Sequence, residues 1–421
     1  MKRIIDKLKI LRLPIMFVGL LAFIVSWVML YQPLEDNSLV YFSAMKNITI
    51  WLLIISGLPF RIKDNRLAIG FIVFLLGYSM VLIATGIYNV EVTQVKEYLT
   101  DVVLYSLLAL SISSVFKSKI EWFLFAWQIG LTGTLFYLAM NFNDELNINF
   151  FDLFIGMFGN ERLSRVGIGF YNVNILGGLA GVLIMVSFFL IIMKKMRQTS
   201  FVTMMFGFFL LFNAGTRSAL LGTLLSLVLA MVLFLGKSHS QLIWKGFVGL
   251  VTLGQGFYLG FLFFVQKGSG VYTLASDLTT TRSSLGVEAV EKLISLRKLW
   301  FGTGMRSQSE IRENFFKSWV STNGLDSDIQ WFLFTVGVVG VIALIVFLIL
   351  GMHRLSFNSS IIWKLGLAYF VAFSTFEHAL LYFEGVSGAS GIFWTFFITL
   401  AFSAQSERLA VTNRRGDNET G

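Results

Sequence analysis

The stretch LFNAGTRSALLG (211–222) holds one arginine, Arg217, between two apolar runs. A second, Arg165, stands in LSRVGIGF (163–170), just ahead of another apolar run. A guanidinium stays charged and offers paired donors, so its best partner is a phosphate or a carboxylate. Ionisable groups at membrane depth are costly and usually face a bundle interior or a polar cavity. Snorkelling to the headgroups is the plain structural alternative for Arg217, and it also explains Lys46 in YFSAMKNITI (41–50). Glu377 and His378, in STFEHALLYFEG (374–385), are a further titratable pair inside an apolar run. They can line a ligand groove, act as a base toward a hydroxyl, or form a structural hydrogen-bonded pair. His239 and His353 fall in polar connections and are not site candidates.

The elements that must position these groups are membrane helices. Of 421 residues, 56% are hydrophobic and only 14% charged, against about a quarter in soluble domains, and mean hydropathy is +0.76. The 44 Phe and 10 Trp suit lipid-facing surface and interfacial belts. Three prolines predict mostly uninterrupted spans. The absence of Cys excludes disulfides and thiolate catalysis, and three His argue against a histidine-rich metal site. The basic start MKRIIDKLKILRLP leads into an apolar run long enough to stay as a span, so no cleavable signal peptide is expected.

Runs of about 20 apolar residues cross the hydrocarbon core as helices, and twelve are read here. They cover 14–31, 38–60, 67–88, 98–115, 120–140, 173–193, 199–215, 218–236, 244–266, 329–351, 361–383 and 388–404. The expected fold is therefore an all-α integral membrane protein. Residues 1–266 carry spans one to nine, 267–328 a large extracytoplasmic loop, 329–404 the last three spans, and 405–421 a loose tail. RIKDNR, KSK, KKMR, GKSHSQLIWK, MHRL and both ends of the chain are basic, and all fall on one side. By the Lys/Arg bias of short loops, that side and both termini are cytoplasmic.

In the large loop, SQSE (307–310) reads as a capping box opening a helix with Ile311, Phe315 and Trp319 on one face. Before it, GVEAVEKLISLRKLWFGTG has helical spacing, a Glu288–Lys292 pair, and a glycine stop. Both helices are amphipathic; they either lie on the outer membrane face or pack as a small cap. The loop is rich in cations, with Lys267, Arg282, Lys292, Arg297, Lys298, Arg306, Arg312 and Lys317. Because NAGTRS is a very short turn, Arg217 must sit at the outer interface, and Arg165 enters span six at the same level. Arginines on one side of a bundle suit an anionic ligand that lives in the bilayer, and a lipid-linked diphosphate fits. No Walker loop, paired-aspartate nucleotide-sugar motif or soluble catalytic domain is present, and nothing marks nucleic-acid binding.

Several stretches together resemble the bacterial O-antigen polymerase/ligase superfamily. These are ERLSRVGIGFYNVNILGGLAG (161–181), NAGTRSALLG, TTTRSSLGVEAVEKLISLRKLWFGTGMRS and LDSDIQWFLFTVGVVG (325–340), spread over roughly 161–345 with a matching twelve-span layout. The resemblance implies a GT-C-like membrane glycosyltransferase acting at the periplasmic face of the bacterial inner membrane. Its donor would be a glycan on undecaprenyl diphosphate. Its acceptor would be a lipid-linked repeat unit for a polymerase, or lipid A–core for a ligase; membrane lipids and a chain-length regulator are further partners. By motif match Arg217 holds the diphosphate, with Arg282 and Arg165 behind it and Asn174 just inside the next span. Arg306, Asp328, Glu377 and His378 are added as substrate-binding candidates. Where ligases carry a loop histidine, alignment on Gly337 and Gly340 places Asp326, which favours the polymerase.

The implied chemistry is direct displacement with inversion, free of metal and cofactor. Fixed arginines would stabilise the diphosphate as its charge grows. Asp326, with Asp328 second, would take the proton of the acceptor hydroxyl; a cap at the start of span ten is the alternative for both. Gly177, Gly178 and Gly181 are expected to allow close helix contact. A lipid-linked oligosaccharide flippase is the rival from another class. It would be expected to show repeat symmetry and polar residues near mid-membrane.

Overall fold

The computed structural model describes residues 2–33, 36–58, 73, 92–116, 119–158, 165–236, 239–265, 268–273, 282–304, 308–316, 325, 327–355, 361–377 and 391–400. Its elements are helices, with no strand among the described residues. In chain order they are α1 (Lys2–Met29), α2 (Asp36–Gly57), α3 (Val92–Phe116), α4 (Ile120–Asn141), α5 (Phe150–Phe158), α6 (Val173–Ile192) and α7 (Arg197–Ala214). There follow α8 (Arg217–Leu235), α9 (Ser240–Phe264), α10 (Arg282–Ser295), α11 (Gln308–Phe315), α12 (Asp328–Leu355) and α13 (Ile361–Phe376), then α14 (Gly391–Leu400).

Eight of the described helices are long and apolar enough to cross a membrane, as in a multi-pass membrane protein, and α13 and α14 are shorter apolar helices. Of the span read at 67–88 only Val73 is described, and the tail from 405 lies outside the described residues.

At the centre stands α6, whose residues Leu176–Ser187 are all buried. It packs against α4, α7 and α8. Three glycines let this happen: a Cβ would meet the Thr216 side chain from Gly177, Phe373 and Phe393 from Gly178, and the Tyr369 ring from Gly181. The Tyr369 hydroxyl donates to the Gly178 carbonyl at 2.9 Å, fastening α13 to the same face. Close approach of this kind drives helix association in lipid, where burying apolar surface gains nothing. A buried polar group adds to it. The Gln128 amide of α4 donates to Thr203 Oγ1 of α7 at 2.6 Å and to Ser187 Oγ of α6 at 3.2 Å.

At the end of the bundle where α2 finishes, Arg12 of α1 donates Nε to the Ser56 carbonyl at 2.6 Å and Nη2 to the Gly57 carbonyl. A cation on the last carbonyls of a helix satisfies orphan acceptors and is attracted by the negative end of the helix dipole. Part of the basic N-terminal segment is thus structural.

One sequence expectation changes: Lys46 does not snorkel, being 2% exposed and attracted by Asp101 of α3. Of the two readings of 282–295, a surface helix or a packed one, the structure supports packing. Leu285, Val287, Ala289, Val290 and Leu293 are buried because α10 packs against α9 and α12.

The expected glycine stop also differs. Lys298 N donates to Leu293 O and Arg297 N to Ile294 O, a Schellman pair that places Arg297 itself in the left-handed region at φ 58°. Helix α11 begins at Gln308 with Ile311 buried; Ser307 and Trp319 lie outside the described residues. The helix α12 runs on through MHRL to Leu355.

Gly222 tests the close packing of α8 on α13, since a Cβ there would stand 2.8 Å from the Tyr369 carbonyl oxygen, whereas one at Gly133 meets nothing within 4 Å. Gly222→Ala is expected to lower stability by about 1–3 kcal/mol, and Gly133→Ala to leave it unchanged or raise it by up to about 1 kcal/mol. Thermal unfolding of the purified protein in detergent checks the order.

Candidate functional site

The polar groups at one end of α6, α7, α8 and α13 are gathered by the turn NAGTRS. Gly215, at φ 59°, ends α7 in the left-handed conformation glycine tolerates best. Asn213 reaches across to the 142–149 connection: its Oδ1 accepts from Asn147 N at 2.9 Å, and its carbonyl accepts from Val166 N at 3.0 Å. Thr216 is buried against Gly177, where its hydroxyl donates to the Val173 carbonyl at 3.3 Å.

Onto this turn folds the loop before α6. Arg165 donates Nε to the Ala214 carbonyl at 3.0 Å and Nη2 to Asn174 Oδ1. Asn174 in turn donates Nδ2 to Glu377 Oε2 at 3.0 Å, and the Ser218 hydroxyl donates to Glu377 Oε1 at 2.9 Å. One amide therefore joins a guanidinium to a carboxylate, each at the end suited to its charge. Glu377 is 6% exposed, while Arg165, Asn174 and Arg217 are half-buried. A buried carboxylate requires such donors to remain ionised.

Arg217 opens α8, where the positive end of the helix dipole disfavours a cation. It directs Nε to the Met157 carbonyl of α5 at 2.9 Å. The two arginines thus flank the α7–α8 turn, Arg165 with Nε on the Ala214 carbonyl and Arg217 with Nε on that of Met157.

A second polar group continues from the end of α13. Ser327 donates its hydroxyl to the Thr375 carbonyl at 2.6 Å, and Gln255 of α9 donates to the Thr375 hydroxyl at 2.7 Å. Next to Ser327, Asp328 is 1% exposed and opens α12. An acidic residue in a first helical turn is well placed against the dipole.

Of the residues named from the sequence, Arg165, Asn174 and Glu377 come together directly. Asp328 lies one residue from Ser327, whose hydroxyl bonds two residues before Glu377. Arg282 opens α10, and its side chain is not described. Arg306, Asp326 and His378 lie outside the described residues. Sequence reasoning missed Ser218, Thr216, Ser327 and Thr375. Hydroxyl residues in apolar helices are common enough that type alone did not mark them; the position of Thr216 and Ser218 on either side of Arg217 was the usable signal.

Fold and site define an all-helical, multi-pass membrane protein with a polar network closing one end of its bundle. No protein-family model matches the chain, and no curated protein or solved structure matches it.

Glu377→Gln keeps the shape of the side chain but turns one acceptor into a donor that faces Asn174 or Ser218. It is expected to destabilise the protein by about 1–3 kcal/mol, read as a lower unfolding midpoint in detergent. An unchanged midpoint would mean that the carboxylate does not hold the helix ends.

Proposed function

We propose that the chain is a membrane glycosyltransferase of cell-surface polysaccharide assembly. It takes a glycan from an undecaprenyl-diphosphate donor and joins it to an acceptor sugar at the outer face of the bacterial inner membrane, as a repeat-unit polymerase. The observation that carries this reading is the gathering of Arg165, Asn174, Ser218 and Glu377 at one end of an apolar bundle, with Arg217 on the same turn. The motif resemblance of 161–345 supplies the substrate class.

In this reading the acceptor hydroxyl oxygen attacks the anomeric carbon. The bond from that carbon to the diphosphate breaks, and the diphosphate leaves with the electron pair. Cationic groups in a site shielded from water stabilise that departing charge more than the bound donor. Arg217 is assigned to the diphosphate. Arg165, whose Nε and Nη2 are already bonded to Ala214 and Asn174, sets the position of the helix ends around it.

The acceptor proton goes to a carboxylate. Both oxygens of Glu377 accept hydrogen bonds, which suits a positioning residue better than a base, and Asp326 keeps that role by its place in the loop. Asp328 is assigned to the start of α12, where its burial fits a cap.

Deletion of the gene followed by gel analysis of surface polysaccharide tests the reading. Long chains are expected to vanish while one repeat unit stays on the lipid core. Loss of every repeat from the core, with carrier-linked polymer accumulating, would instead identify a ligase. Arg217→Ala is expected to abolish product at unchanged protein level, and retained product would remove Arg217 from the site. Asp326→Asn is expected to give a stable, inactive protein; an active one would leave Asp326 as a cap.

A further inference from the structure

The helix α12 is not continuous. At Gly337, φ 72° and ψ −170° interrupt it, and a segment following α10 fills the interruption. Thr303 N donates to Phe334 O at 2.9 Å and Gly304 N to Thr335 O at 3.0 Å; Val338 N donates to Leu299 O at 3.0 Å and Val339 N to Trp300 O at 3.2 Å. The carbonyls and amides freed by the break are thus taken up by residues 299–304. The approach is close enough that a Cβ at Gly302 or Gly337 would run into backbone of the other segment.

The depth of this junction follows from α9. Its exposed face carries Leu242, Leu250, Leu253, Phe257 and Phe264, the last two 77% and 85% exposed. From Leu242 to Phe264 is about 33 Å of helix, a full hydrocarbon thickness of about 30 Å. Near the far end of that face, Tyr258 accepts a bond from Gln330, and a Cβ at Gly286 would meet both Leu262 and Gln330. Residues 258–262, 286 and 330 therefore share one level. Gly337 lies seven residues beyond Gln330, about 10 Å further along α12, beside the middle of the lipid-facing stretch of α9. From Gly286, α10 runs in the same direction as α12, because the residues that follow it reach the break.

An outside position for α10 would place the bare aromatic end of α9 in water. A position inside lipid would place Glu291 and Arg297, both exposed, against hydrocarbon, where charges are not tolerated without partners or water. Irregular backbone occurs at membrane depth only where protein buries it or a water-filled cavity adjoins it. We propose that residues 282–304 form a re-entrant limb. It dips beside α9 and α12 to the depth of Gly337, with Trp300 and Phe301 toward lipid and the edge bearing Glu291 and Arg297 along a water-filled recess. This inference is independent of the catalytic reading.

The chain has no cysteine, so single-cysteine variants of the full protein can be spin-labelled directly in nanodiscs. Phe301→Cys, Glu291→Cys and Phe264→Cys replace exposed side chains, and Trp300→Cys stands in should Phe301→Cys fail to elute as a single species. Collision with oxygen against a water-soluble nickel chelate reads the depth of each label. The label at 301 is expected to be oxygen-dominated and deeper than that at 264, and the label at 291 to be nickel-accessible. A label at 301 shallower than that at 264 would overturn the limb, and an oxygen-dominated label at 291 would overturn the recess.

Discussion

At the end of an apolar bundle a polar group can be answered only by another polar group, and the amide of Asn174 meets that constraint from both sides. Its oxygen takes the guanidinium of Arg165 and its nitrogen gives to the carboxylate of Glu377. Neither charge needs to touch the other, yet each is compensated, and α6 and α13 are held at a fixed distance with the 165–172 loop above them. The arrangement depends on α6 being narrow. With side chains at Gly177 and Gly178, Thr216 and the end of α13 could not come close enough for the network to close.

Much of this was legible in the amino-acid order. Eight of the described helices are long and apolar enough to cross a membrane, and each overlaps an apolar run read from the sequence, because the requirement to cross hydrocarbon leaves a strong compositional mark. The turn NAGTRS drew attention through Arg217, and its Asn213, Thr216, Arg217 and Ser218 each hydrogen-bond to a residue distant in the chain. The partner of its neighbour Arg165 was less visible, since pairing across 203 residues between Asn174 and Glu377 leaves no local trace. Lys46 was misread for a similar reason: a lysine in an apolar helix snorkels by default, and only the packing of α3 brings Asp101 to it. The sequence left the setting of α10 open, because its amphipathic pattern fits a bilayer surface and a protein groove equally well. Arg297 in a left-handed cap ran against the rule that glycine ends helices, and the hydrogen bonds of Lys298 and Arg297 show what holds it there.

The candidate site separates two duties that a sequence places side by side. Groups that hold helix ends together must be satisfied before any ligand arrives, and Arg165, Asn174, Ser218 and Glu377 have this character. Groups that answer a ligand must stand at an accessible position, and the proposed reading gives that duty to Arg217, half-buried where it opens α8 at the same end. On that division the network is the frame of the site and not its reactive part, and substitutions in it act first through the shape of the bundle end.

The junction at Gly337 also bears on how the chain is made. Residues 299–304 leave the ribosome before residues 334–339, so the donors and acceptors that the interrupted helix needs are already synthesised when it emerges. A discontinuous segment arriving alone in the bilayer would carry unanswered peptide groups. Here the earlier stretch serves as a waiting template, and vectorial synthesis favours lateral capture of the later one over its exposure to lipid.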